Sequence, residues 1–164
     1  MATSRKQTST GTIGVIGAGV MGQAIAESLL DRKIISRENL WAVTLTHDSA
    51  RSVERKLGIT CLHKSYNGLL KKTDIVLLCV KPSQCLNILP QLRKAGLPKS
   101  ALVISIVTGV TTGAMQGKLS GNPIIRAITN TPCLVGEGMT ALCVGSKASE
   151  RHLATARMIF ESVG

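Results

Sequence analysis

The chain has 164 residues, enough for one domain that buries about two thirds of the surface its unfolded form exposes. Hydrophobic residues make up 44% against 18% charged, which excludes disorder, and the three aromatics, Trp41, Tyr66 and Phe160, leave an aliphatic core and no stacking platform for single-stranded nucleic acid. The net charge of +11 comes without a block of basic residues, only pairs such as Arg32-Lys33, Lys71-Lys72 and Arg93-Lys94 that suit solvated helix ends, so neither nucleic acid nor a membrane surface is the expected partner.

The opening "MATSRKQTSTGT" is polar and lacks the apolar stretch of a secretory signal. It is basic and Ser/Thr-rich like a transit peptide, but too short and too weakly amphipathic to be read as one. Residues 1–11 are expected to be a flexible segment ahead of one dinucleotide-binding domain over 12–164. From there short β-rich runs alternate with helical patterns. Strands are expected near 12–16, 40–44, 58–62, 74–80, 101–107, 123–129 and 139–144, and helices near 21–32, 49–57, 65–72, 84–95, 111–119 and 148–162. Parallel strands need crossovers, so this alternation predicts an α/β fold: a Rossmann-like, doubly wound, mostly parallel sheet with helices on both faces. Residues 75–80, "IVLLCV", read as a central strand covered on both sides.

The first strand runs into "IGAGVMG", Ile16 to Gly22, and a helix follows at once. Gly17-x-Gly19-x-x-Gly22 after a strand and at the mouth of a helix is the dinucleotide fingerprint. The first glycine permits a tight turn, the second lets backbone approach a pyrophosphate, and the third brings helix and strand close. Ile16, Gly17, Ala18, Gly19, Val20, Met21 and Gly22 are therefore candidate cofactor residues.

The tip of the second strand discriminates between cofactors, because an NAD site needs an acid there for the ribose 2′-OH. "VTLTHDSAR" has none from Val43 to His47. Thr44, Thr46 and His47 offer hydroxyls and an imidazole, with Arg51 a turn further on. Asp48 is expected to cap a helix starting at Ser49. NADP(H) is the expected cofactor, with NAD(H) the alternative.

The fourth strand leads to Val80-Lys81-Pro82 and the fifth to Ile106-Val107-Thr108, and ligands of such sheets lie beyond the carboxyl ends of strands. Between Asp74 and Glu137 there is no carboxylate, so a site built there is electropositive and has no acidic general acid. Asn130-Thr131-Pro132, followed by Gly136-Glu137-Gly138, is more elaborate than a strand connection requires and is expected to shape a site. Five cysteines without a CxxC pair, and three histidines without zinc-like spacing, predict a reduced intracellular protein without a structural metal. Cys79 and Cys143, inside apolar runs, are expected to be buried. The expected compartment is the cytoplasm, with the mitochondrion as the alternative.

Taken together these motifs resemble the N-terminal half of pyrroline-5-carboxylate reductase. The matches are Ile16-Gly17-Ala18-Gly19-x-Met21, Val80-Lys81-Pro82, Ser105 to Val110, and Thr129-Asn130-Thr131-Pro132-x-Leu134-Val135-Gly136-Glu137-Gly138-Met139-Thr140, in family order and spacing. GxGxMG alone would equally resemble a β-hydroxyacid dehydrogenase; the last block is the specific one. The resemblance implies NADPH-dependent reduction of L-1-pyrroline-5-carboxylate to L-proline, in proline biosynthesis. It places the pyrophosphate at Gly17–Met21 and the ribose at the second-strand tip. The nicotinamide falls by Val80–Pro82 and Ile106–Thr108, with Asn130–Pro132 facing its pocket. Val107 and Thr108 stand where the family commonly has two alanines. The family's C-terminal helical domain, which dimerises and supplies the substrate carboxylate site and a proposed proton donor, has no counterpart in this sequence. No catalytic residue is carried over, and a homo-oligomer is expected only for a protein that includes that domain. Two alternatives remain: an NADP-binding sensing or interaction module without turnover, or a reductase of a related imine or hydroxyacid.

Overall fold

Apolar runs that can be covered on two sides become central strands, and this dictates the sheet. A computed structural model describes residues 11–66 and 68–164, so the expected N-terminal segment lies outside the described residues except for Gly11. Among the described residues the strands are β1 (Ile13–Ile16), β2 (Leu40–Thr44), β3 (Thr60–His63), β4 (Ile75–Leu78), β5 (Leu102–Ser105), β6 (Ile124–Thr129) and β7 (Thr140–Val144). They form one sheet in the order β3-β2-β1-β4-β5-β6-β7. All neighbours pair in parallel except β7, which runs antiparallel to β6. Every residue of β1, β4 and β5 is buried, as a sheet centre covered on both faces requires. The chain builds outward from β1 to β3 and then crosses back to β4, so the direction of winding reverses between β1 and β4. That reversal opens a crevice beyond their carboxyl ends.

Helices α1 (Val20–Asp31), α2 (His47–Leu57) and α5 (Glu150–Phe160) cover one face, and α3 (Pro82–Lys94) and α4 (Thr112–Lys118) the other. The sequence sets these faces by spacing. Gly22, Ile25, Ala26 and Leu29 make one buried stripe on α1, and Cys85, Leu89 and Leu92 make another on α3. Pro82 occupies the first turn of α3, where its missing N–H is harmless, and Lys81 before it is extended, as a residue preceding proline must be. The indole of Trp41 is buried, with its N–H donated to Thr73 Oγ1 at 3.0 Å. The basic pairs Arg32-Lys33, Lys71-Lys72 and Arg93-Lys94 are exposed at or just past helix ends.

Three expectations need correction. In place of a helix near 65–72 there is only a 3₁₀ turn at Leu69–Lys72, entered through Gly68 at φ +76, too short a connection for a helix between β3 and β4. Cys143 is exposed, because β7 is the sheet edge and its burial alternates instead of being complete. Asp48 does not cap α2; the helix starts at His47, and Thr46 is its cap. Strands β4 and β5 also end two residues earlier than expected, so that Val80, Ile106 and Val107 belong to the rim loops.

Candidate functional site

The turn after β1 is wedged between its two neighbouring strands. Gly17 and Ala18 donate their N–H groups to Val43 O at 3.0 and 3.1 Å, which ties the turn to β2. Cys79 N donates to Ile16 O at 2.8 Å and Ile106 N to Leu78 O at 3.1 Å, which brings the tips of β1, β4 and β5 together. Gly17 has φ +91, and a Cβ there would lie 2.7 Å from Cys79 O. Only glycine fits that turn. Gly22 packs α1 against β1 and β4, where a Cβ would meet Gly17 O, Val15 and Cys79. Gly19 differs from both: a Cβ there would meet nothing within 4 Å, because the residue faces the open crevice.

Gly19 is also the N-cap of α1, and no side chain caps it. No acidic residue stands in the first turn. The first N–H groups of the helix therefore point, unscreened, at the crevice, together with the positive end of the macrodipole. This is the chemistry that binds a pyrophosphate. An NADP-type cofactor fits the residues present: open backbone at Gly19, buried Ile16, Ala18 and Gly22 holding the turn, and Val20 and Met21 opening the helix beside it.

The second-strand tip is built differently. Thr44 is buried at the end of β2, its hydroxyl donating to Thr46 O at 3.1 Å. Thr46 Oγ1 accepts the N–H of Ser49 at 3.2 Å and so closes α2. Asp48 is exposed and tied to Arg51 at 3.0 Å. Burial pushes the Cys61 thiol up to about 11, against a hydrogen bond with Thr44, and pushes that of Cys79 up to about 12. Burial thus favours the protonated, less reactive form of both thiols. Sequence reasoning missed His63 and Lys64. The parallel register sets His63 beside Thr44, and its ring lies 4.1 Å from that of His47. The separation along the chain hid this pair; only the pairing of β2 with β3 reveals it.

On the other side of the crevice, Val80 is half-buried while Lys81, Pro82 and Thr108 are exposed, with half-buried Ile106 and buried Val107 beneath. The loop from Asn130 to Gly138 contains a 3₁₀ helix, Thr131–Val135, preceded by Asn130, whose side chain does not cap it. Asn130 Oδ1 accepts the N–H of Met139 at 2.8 Å, Gly138 N donates to Val163 O at 2.8 Å, and Ser28 Oγ donates to Ser162 O. The loop is thereby strapped to the chain's last residues and to α1. The Cys133 thiol lies 3.8 Å from Met21 Sδ, which places the exposed Thr131 and Pro132 on the α1 side of the crevice. A groove of about 440 Å³ between β7 and α5, lined by Leu142, Leu153 and Phe160 among others, lies at the sheet edge and brings together none of the expected site residues. No helix among the described residues is long and apolar enough to cross a membrane.

A mostly parallel sheet wound both ways, with a bare helix start at its switch point, has the form of a dinucleotide-binding domain. The chain belongs to the family described as NADP oxidoreductase, coenzyme F420-dependent, whose model matches residues 12–109, and it is similar to proteins named pyrroline-5-carboxylate reductase. It is 34% identical over 152 residues to pyrroline-5-carboxylate reductase of Synechocystis, covering 93% of this chain and 56% of that one. The solved pyrroline-5-carboxylate reductase of Coxiella burnetii superposes with a TM-score of 0.86 at 29% identity, covering 94% of this chain and 57% of the other. That of Plasmodium falciparum, solved with NADP bound, gives 0.80 at 28% identity, over 94% and 55%. The chain thus spans a little over half the length of the relatives it matches.

Proposed function

We propose that this chain supplies the NADPH-binding part of a pyrroline-5-carboxylate reductase, which reduces the cyclic imine L-1-pyrroline-5-carboxylate to L-proline. The observation that carries the reading is the uncapped start of α1 at Gly19, open to a crevice that the tips of β1, β2 and β4 enclose. In this reading Ile16 to Gly22 hold the pyrophosphate and Thr44 and Thr46 the adenosine ribose. Val80, Lys81, Pro82, Ile106, Val107 and Thr108 line the nicotinamide side, and Asn130, Thr131 and Pro132 face the substrate. NADPH is preferred to NADH because the one acid near the β2 tip, Asp48, is engaged by Arg51.

Bound there, NADPH supplies a hydride, and the protonated imine is an electrophile that accepts it. The chain's own task is positioning: the rigid tips of β1, β4 and β5 set the floor against which cofactor and imine reach contact distance. The rim between Asp74 and Glu137 carries no carboxylate, so it attracts both the polyanionic cofactor and a substrate that is itself a carboxylate.

The test is a chimera in which this chain replaces the matching segment of the Synechocystis relative, followed by the NADPH absorbance band. Loss of absorbance that depends on pyrroline-5-carboxylate, and not on the carbonyl acid that a β-hydroxyacid dehydrogenase would reduce, is the expected result. A folded chimera that binds NADPH but consumes none, beside an active parent, would overturn the reductase reading in favour of a binding module.

A further inference from the structure

We propose that His47 and His63, with Lys64 beside them, form the seat of the adenosine 2′-phosphate and set this chain's preference for NADPH over NADH. The inference rests on the cofactor reading above and adds residues from a third strand to it.

The first argument is position. The glycine turn hangs on Val43 O, and Thr44 is the next residue. His63 is the register partner of Thr44, and Lys64 N donates to Thr44 O at 3.1 Å, so the end of β3 lies alongside the β2 tip. His47 opens α2 immediately after Thr46. Its ring sits 4.1 Å from that of His63, with the two planes at 44°. Two imidazoles, one from the end of β3 and one from the start of α2, thus meet beside the β2 tip where the ribose of a dinucleotide passes, with Lys64 next in the chain.

The second argument is the state of their neighbours. Thr46 has its hydroxyl engaged with both Ser49 N and Ser49 Oγ, which leaves it less free to serve a phosphate. The carboxylates on the elements packed here are also engaged. Asp48 binds Arg51, Glu54 accepts the N–H of Cys61, and Glu27 on α1 binds Lys56. Among the described residues neither imidazole has a carboxylate within ion-pair distance. A phosphate placed beside the two rings can accept a charge-assisted hydrogen bond from each, whereas a ribose 2′-hydroxyl brings no charge.

The third argument is backbone. Lys64 holds φ +49, a conformation unfavourable for lysine, and the bond from its N–H to Thr44 O keeps it there. The turn directs the chain so that an ammonium follows directly on His63.

The experiment titrates the wild type, His47→Ala, His63→Ala and the double variant with NADPH, NADH, adenosine 2′,5′-bisphosphate, AMP and inorganic phosphate. His63→Asn is included to fill the half-buried site if alanine unfolds it. Each charge-assisted bond lost should weaken NADPH and the bisphosphate about tenfold, while NADH and AMP change by less than about twofold. NADPH and NADH falling by one common factor would overturn the proposal, because the rings would then be structural or adenine contacts. So would an unchanged ratio, or inorganic phosphate competing as well as the bisphosphate. A wild type that binds both dinucleotides equally would remove the seat and leave the cofactor reading standing. A folded wild type that binds neither would overturn both.

Discussion

Helices α1 and α2 begin at neighbouring strand tips, yet they treat their exposed N–H groups in opposite ways. At the start of α2 the Thr46 side chain accepts from Ser49 N, and an acid stands in the first turn. At the start of α1 neither a capping side chain nor an acid is present, and the cap is a glycine that faces open space. Helix α4 follows α2, with Thr111 accepting from Ala114 N, and α5 has a capping box from Ser149 and His152. Helix α3 also lacks a side-chain cap, but Pro82 in its first turn removes one of the N–H groups, whereas the start of α1 is a glycine facing open space, a place held open for an external anion. A capped start is complete without a ligand, and its residues then act on specificity more than on the existence of the site.

The contrast can be broken at three places. Gly19→Val should lower NADPH affinity by at least about a hundredfold, because its side chain fills the space through which backbone meets the pyrophosphate. Its thermal midpoint should stay that of the wild type, since the Cβ meets nothing in the protein. A Gly19→Val protein that is folded and still binds would make the turn merely structural. Gly17→Ala should do the reverse and cost folding stability first, about 2 to 3 kcal/mol by denaturant titration. There both the positive φ and the contact with Cys79 O oppose a side chain. Thr46→Ala should have the smallest effect, about 1 kcal/mol of stability for the lost cap, with Thr46→Ser restoring most of it. A loss of NADPH binding in Thr46→Ala as large as in Gly19→Val would erase the distinction between the two helix starts.

The parts of this molecule that were legible in sequence are those whose cause is local. The glycine spacing, the stripe on α1, Pro82 at the start of α3 and the fully apolar β4 each depend on residues within a few positions of one another. What was not legible depends on partners far along the chain. Cys143 sits in a run as apolar as its neighbours, but β7 is an edge, and only the strand order says so. Asp48 and Thr46 are both good caps, and the choice between them was made by where the hydrogen bonds of α2 begin. His63 appeared as an ordinary residue after a short strand until the register of β3 against β2 brought it to His47. The loop from Asn130 to Gly138 was legible as elaborate, but its straps to Val163 and to α1 were not.

The most direct test of the account is a side-by-side titration of the folded chain with NADPH and NADH, following nicotinamide fluorescence. The account predicts saturable binding of both, tighter for NADPH. A chain whose circular dichroism shows the native fold but which binds neither would contradict it, because the open start of α1 would then hold no dinucleotide.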